Sequence, residues 1–191
     1  MINKQENTMS EFSHAMETLK HTHEPDKTRI IDDIVSMAER AGYTVADVDA
    51  TRPWGGFVRF DYVDGDKFVQ EFFPGVDATE ARLGNPDTEL SPKILLVSPE
   101  QRLSWQVHRR RAERWVFLND GAYYKSTDPD NPGELVQAKG GDVVQFEAGE
   151  CHRLVGLKGG HTLVAEIWQH TDPNHPSDED DIVRLQDDYK R

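Results

Sequence analysis

From residue 26 to residue 41 the apolar positions recur at helical spacing. Ile30, Ile31, Ile34, Val35, Met37 and Ala38 form one stripe, with Asp26 placed to cap the start and Gly42 to end it. This pattern predicts an amphipathic helix whose apolar face packs on the rest of the protein. Residues 1–24 are polar with scattered Met9, Phe12, Met16 and Leu19, and are read as a flexible segment that forms at most a weak helix. From Tyr43 the texture changes to short runs of alternating or continuous apolar residues separated by turn residues. Strands are predicted over 56–62, 67–73 (after a hairpin turn at Asp64-Gly65-Asp66), 93–97, 103–108, 114–118, 122–126, 135–138, 142–146, 152–155 and 162–168. Residues 74–92 are polar, hold Gly75, Gly84, Pro86 and Pro92, and read as an inserted loop: a lid, an oligomer contact, or simply a solvated excursion. A short helix is predicted near Asp180–Tyr189. Many short strands without alternating helices define an all-β sandwich or barrel.

One stretch carries the chemistry. In Trp105-Gln-Val-His-Arg-Arg-Arg-Ala-Glu-Arg-Trp115, Gln106 and His108 are two apart and project from the same face of a strand. A turn through Arg109–Arg111 brings Glu113 back beside them, and Gly149-Glu-Cys-His152 delivers a second histidine. Gln106, His108, Glu113 and His152 then supply the nitrogen and oxygen donors suited to one divalent ion, zinc first, with manganese, iron or cobalt as alternatives. In the strand 162–168, Thr162, Val164, Glu166 and Trp168 share one face, so Glu166 lies either beside the metal or in solvent. His14, His21 and His23 have no framework around them and are read as surface residues. Cys151 is read as a small buried side chain rather than a nucleophile.

These residues also resemble a known family. The pattern from Gln106 through His108 to Glu113, followed by Gly141-Asp142 and by Gly149 and His152, resembles the metal motif of the cupins, with a glutamine in place of the first histidine. Gln101-Arg-Leu-Ser-Trp-Gln-Val-His, Arg52-Pro-Trp-Gly55, His152-Arg-Leu154 and the ending Asp180-Asp-Ile-Val-Arg-Leu-Gln-Asp-Asp-Tyr189 are similar to type II mannose-6-phosphate isomerases. The same pieces are found in the C-terminal cupin domain of bifunctional mannose-1-phosphate guanylyltransferases. The resemblance spans about residues 51–66 and 93–191. It implies a double-stranded β-helix, or jelly-roll barrel, with an N-terminal helix and a short C-terminal helix, residues 25–191 forming a single domain. It implies a metal-dependent aldose–ketose isomerase acting on a sugar phosphate, with Glu166 as base, Arg111 as its catalytic partner, and Lys93 and Arg153 as substrate-binding cations. A homodimer is implied as well. Arg110 and Arg114 stand where the family has histidines, and this departure favours two alternatives: isomerisation of a free sugar, or a non-catalytic metal- and sugar-binding cupin.

Composition narrows the choice. The chain has 191 residues, 36% of them hydrophobic, enough for a sizeable core in one domain. A formal charge of −13 argues against nucleic acid and anionic membrane as partners, both of which need basic surface. The single cysteine permits no internal disulfide, and no signal-peptide core or long apolar run is seen. A cytoplasmic protein with a small-molecule sugar ligand is the expectation.

Overall fold

The computed structural model describes residues 11–20 and 26–190. Helix α1 (Glu11–Lys20) and helix α2 (Lys27–Arg40) are followed by β1 (Val45–Asp49), β2 (Gly55–Phe60), α3 (Gly65–Phe72), α4 (Ala78–Ala81) and β3 (Leu90–Val97). Then come β4 (Trp105–Val107), β5 (Arg111–Phe117), β6 (Gly121–Ser126), β7 (Val136–Ala138), β8 (Val143–Phe146), β9 (Cys151–Val155), β10 (Thr162–His170) and β11 (Val183–Gln186). The strands form two antiparallel sheets, one ordered β1-β2-β3-β10-β5-β8 and the other β11-β4-β9-β6-β7. Chain neighbours such as β4 and β5, or β9 and β10, lie in opposite sheets. That repeated crossing makes the fold a double-stranded β-helix.

Alternation along the central strands sorts the side chains into two apolar layers. On β10, Leu163, Ala165 and Ile167 face outward. They join Val58, Phe60, Ile94, Leu96, Val116 and the helices in one cluster. The odd-even partners Val164 on β10, Leu95 and Val97 on β3, and Trp115 and Phe117 on β5 point between the sheets and build the second cluster. Every residue of β10 is therefore buried, the polar Thr162, Glu166, Gln169 and His170 included.

Helix α2 forms as its stripe predicts. Asp26 accepts from the Thr28 amide at 2.9 Å, Ile30, Ile31, Ile34 and Ala38 are buried, and Gly42 supplies the positive φ of 76° that lets the chain turn away. Gly55 is required for a different reason: a Cβ there would lie 1.9 Å from the Leu96 carbonyl oxygen, so only glycine lets β2 leave the Arg52–Trp54 turn so close to β3.

Four expectations need correction. The segment expected to be flexible contains α1, whose Phe12, Met16 and Leu19 are buried on α2, Tyr43, Phe60 and Phe72; His14 is exposed, while His21 and His23 lie outside the described residues. Residues 67–73 are not a strand but belong largely to α3. Phe68, Val69 and Phe72 fall on one helical face, and Asp61 accepts from the Val63 amide at 3.1 Å, turning the chain into a helix where a hairpin was expected. The insertion 74–92 holds α4, capped by Asp77, and packs on the outer face of the first sheet, where the Ala81 carbonyl accepts from Gln169 Nε2 at 2.8 Å. The expected C-terminal helix is strand β11: β4 would otherwise leave a sheet edge open, and Val183 and Arg184 pair with Val107 and Gln106. No helix among the described residues is long and apolar enough to cross a membrane.

If α1 belongs to the core, Phe12→Ala removes a fully buried ring and lowers stability by about 3–5 kcal/mol. Urea unfolding followed by circular dichroism measures this; a loss under about 1 kcal/mol would show that α1 contributes no core packing.

Candidate metal centre and cleft

Three strands from the two sheets converge on one buried cluster. His108 directly follows β4, β9 carries His152 opposite Gln106, and β5 carries Glu113 from the other sheet. One donor atom from each of His108, Glu113 and His152 lies within 4.8 Å of the others, and all three residues are 2% exposed. The backbone sets both imidazoles. His108 Nδ1 donates to the Asp181 carbonyl and His152 Nδ1 to the Glu150 carbonyl at 3.2 Å, so each ring presents Nε2 as a lone pair to the cluster. His108 Nε2 lies 3.3 Å from Glu113 Oε1, and His152 Nε2 lies 3.2 Å from Glu113 Oε2. Two acceptors facing each other at that distance, both buried and without a hydrogen-bond donor, are an arrangement that a cation resolves. The donor set fits a borderline divalent ion.

Gln106 joins the cluster in a different role from the one expected. Its Oε1 accepts from Ser104 Oγ at 2.7 Å, and its Nε2 approaches His108 Nε2 at 3.2 Å, so the amide nitrogen faces the histidines. Its oxygen becomes a fourth ligand atom only with the amide turned over, Ser104 then accepting.

Charge in the cluster follows from burial. Burial pushes the His108 imidazole down to about 3, against the pull of Glu113, so the ring is neutral as a ligand must be. Burial alone would raise the Glu113 carboxyl; His108, His152 and Arg111 together hold it well below the ordinary carboxylate range. Arg111 Nε donates to Glu113 Oε1 at 2.9 Å, and its Nη1 donates to Ser177 Oγ at 2.8 Å and to the Asp178 carbonyl at 3.1 Å. Arg111 thus positions Glu113 and ties down residues 177–181; its guanidinium is taken up by the protein itself.

Of the cluster, Glu113 lines a cleft of ≈ 90 Å³, together with Gln106 and Arg111, space for a small polar molecule; His108 and His152 are not among its lining residues. Glu166 faces this interior. Its Oε1 accepts from Trp115 Nε1 at 2.9 Å, and it is pushed up to about 8 by burial and by the charge of Glu113, against Lys93 and Arg111. Lys93 stands opposite Glu166 in the β3–β10 register, with Nζ 3.5 Å from the Trp168 ring centroid and 2.9 Å from Glu179 Oε1. Arg153 does not join the cleft. It follows His152 by one residue, so strand alternation sends it to the opposite face, where its Nη2 donates to the Gln186 carbonyl at 3.1 Å. Arg52, Trp54, Ser104, Trp168, Glu179 and Arg184 line the cleft without having been singled out as site residues. Ser104 and Trp168 were within reach of the i+2 rule applied to Gln106 and Glu166; for Glu179 no sequence signal exists.

The two departures from the family pattern are explained by position. Arg114 lies on the outer face of β5 and binds Glu80 Oε1 at 2.8 Å and Gln145 Oε1 at 2.7 Å. Arg110 donates to the Pro176 carbonyl at 2.8 Å and to Asp178 Oδ1 at 2.9 Å, while the amides of Arg109 and Arg110 donate to the Asp181 carboxylate at 3.0 and 2.9 Å. The arginine triplet holds the C-terminal segment across the site.

No family model matches this chain, and no curated protein matches it. Among solved structures it is similar to Bacillus subtilis oxalate decarboxylase, at 11% identity over 73% of this chain and 30% of that one, TM-score 0.47. It is also similar to a Klebsiella pneumoniae conserved protein with a double-stranded beta-helix domain, at 13% identity over 51% and 71%, TM-score 0.40. A third likeness is to hazelnut vicilin, at 11% identity over 65% and 32%, TM-score 0.45. The chain thus spans 30% of the decarboxylase and 32% of the vicilin. None of these comparisons supports the type II mannose-6-phosphate isomerase family in particular. The chain's own strand order defines a double-stranded β-helix, and its buried His–Glu–His cluster gives that fold a candidate metal site.

His170 closes the C-terminal segment from below. Its Nδ1 accepts from the Ser177 amide at 2.8 Å, and burial, then Arg111 and Arg110, pushes it down to about 4. Unfolded histidine titrates near 6.5, so at pH 7 the ring is neutral in both states. As pH falls below about 6.5 the unfolded chain binds a proton that the folded chain refuses until about 4, so stability falls across that window and levels below it. Between pH 7 and pH 5 the wild type should lose about 2 kcal/mol more than His170→Asn. Urea titrations of both proteins at the two pH values measure this, and equal losses would refute it.

Proposed function

We propose that this protein is a metal-dependent aldose–ketose isomerase acting on a small sugar phosphate, mannose-6-phosphate being the first candidate. The observation that carries the reading is the juxtaposition of Glu166 with Glu113, the carboxylate of the His108–Glu113–His152 cluster, in one small cleft that is also lined by the buried Lys93. His108, His152 and Glu113 would hold the ion, zinc first, with Gln106 completing the set through its oxygen. A divalent ion there supplies Lewis acidity toward a sugar carbonyl and its neighbouring hydroxyl.

The residues of the chain do the rest. Glu166 takes the proton from C2 and returns it to C1, while the hydroxyl proton passes from O2 to O1 so that the C1 aldehyde becomes a hydroxyl and C2 the carbonyl. A carboxyl group pushed up to about 8 is suited to both halves of that transfer near neutral pH. Trp115 Nε1 fixes one carboxyl oxygen, so the other is the one that moves the proton. Arg111 keeps Glu113 ionised and aimed, a positioning role in place of the direct contact with substrate first expected of it. Lys93 receives the negative end of the substrate. Apolar Trp54, Phe57 and Leu95 on the same walls limit water around the reacting carbons.

The test is conversion of mannose-6-phosphate to fructose-6-phosphate with added zinc, manganese or cobalt, with and without EDTA. Turnover that the chelator abolishes is expected. Glu166→Gln should lower kcat by a factor of about 10² to 10⁴ while retaining metal, and His108→Ala should lose bound metal in elemental analysis. No turnover with any of the metals would overturn the assignment to this substrate, and metal retained by His108→Ala would overturn the ligand set. Equal turnover of mannose would instead identify a free-sugar isomerase.

A further inference from the structure

Lys93 is anchored and buried, but its counter-ion is not. The lysine sits on the central strand β3 and is 4% exposed, with Nζ 3.5 Å from the Trp168 ring and 5.2 Å from that of Phe57. A buried ammonium needs an anion, because desolvation without a partner costs several kcal/mol. Glu166, opposite it in the strand register, pulls on it too, but its Oε1 is held by Trp115 Nε1 at 2.9 Å, and the carboxylate hydrogen-bonded to Nζ is another one. The anion comes from Glu179, whose Oε1 is 2.9 Å from Nζ although its side chain is 62% exposed. Glu179 reaches in from the segment crossing the cleft mouth, and the chain on both sides is fastened separately. The Asp178 carbonyl accepts from Arg111, and the Asp181 carbonyl and carboxylate accept from His108, Arg109 and Arg110. The Glu179 side chain can therefore swing into solvent without the segment coming loose.

We propose that Lys93 is the seat for the phosphate of an incoming ligand, and that Glu179 is its tethered occupant, a built-in competitor that the ligand's phosphate displaces. The geometry is that of an exchangeable pair: a rigid buried cation facing the cleft, and an exposed, single-bonded carboxylate arriving from the rim. Arg52, which binds Asp49 at 2.7 Å, and Arg184 line the walls nearby, and a phosphate brings two or more negative charges to them and to Lys93 where Glu179 brings one. A tethered group competes at an effective concentration on the order of millimolar, so it weakens the apparent affinity of every anion and discriminates against weakly charged sugars. The inference rests on the proposed function only in taking the ligand to be a phosphate ester.

Calorimetric titration with inorganic phosphate, on the metal-loaded protein, tests it without turnover. Removing the competitor in Glu179→Gln should tighten phosphate binding by about tenfold or more, and Lys93→Met should abolish binding at this site. Thermal unfolding of both variants separates loss of the seat from loss of the fold, and Lys93→Gln serves if the methionine variant does not fold. Unchanged affinity in Glu179→Gln would overturn the competitor. Wild-type affinity in a folded Lys93 variant would overturn the seat and place the phosphate on the metal instead. If phosphate binds as expected but no sugar phosphate is isomerised, the proposed activity falls and the seat stands.

Discussion

A carboxylate cannot be taken out of water without compensation, and Glu113 is taken out of water almost completely. Much of the site follows from that constraint. Two imidazoles and one guanidinium surround the carboxylate, and Arg111 brings a permanent charge. Arg111 is itself buried, so its remaining N–H groups need acceptors, and the Ser177–Asp181 segment supplies them. That segment in turn donates the Asp181 carbonyl to His108, which fixes the tautomer that leaves Nε2 facing Glu113. The chain of dependence closes on itself: the carboxylate orders the arginine, the arginine orders the segment, and the segment orders the ligand histidine. A half-satisfied version of such a network would be worse than none, which is why so much of the C-terminal chain is committed to it.

The strands and their faces were legible because each carries a local signal. Alternation placed Gln106 with His108, and Glu166 with Trp168; turn residues marked most strand ends. The helix over Lys27–Arg40 had both caps and a stripe in the sequence. Errors arose where two periods fit equally well or where the deciding partner was remote. Residues 67–73 contain Phe-Val and Phe-Phe pairs that satisfy a strand or a helix, and only the outer face of the first sheet, distant in sequence, selects the helix. Residues 183–186 have good helix formers, yet the open edge of β4 offers backbone partners that a helix would waste. The role of Phe12, Met16 and Leu19 was hidden for the same reason: their apolar partners are Tyr43, Phe60 and Phe72 on other elements.

The candidate site divides along the same line. His108, Glu113 and His152 were readable as a set because spacing and strand geometry alone bring them together. Arg153 was misplaced by carrying over a motif neighbour without asking which face it occupies; one step along a strand is a step to the other side. Arg110 and Arg114 show the converse. Substitution of a family histidine looks like loss of chemistry in a sequence, whereas here one arginine is an outer-face partner of Glu80 and the other a fastener for residues 175–178. Neither position reaches the cleft floor.

The distribution of charge gives these local facts a common direction. In a chain of net charge −13, the cleft walls carry Arg52, Lys93, Arg111 and Arg184 against Glu113, Glu166 and Glu179. Arg111 is committed to Glu113 and Arg52 to Asp49, while burial pushes the Glu166 carboxyl up and the Lys93 ammonium down, so the pair of Lys93 and Glu179 is the charge that faces the cleft mouth. An acidic exterior repels anions at long range, while the buried cations attract them only once they have entered. The helical layer on the outside of the first sheet completes the division. It buries the outer face of β10 so that the strand's inner face, with Glu166 and Trp168, is held on a scaffold packed from both sides.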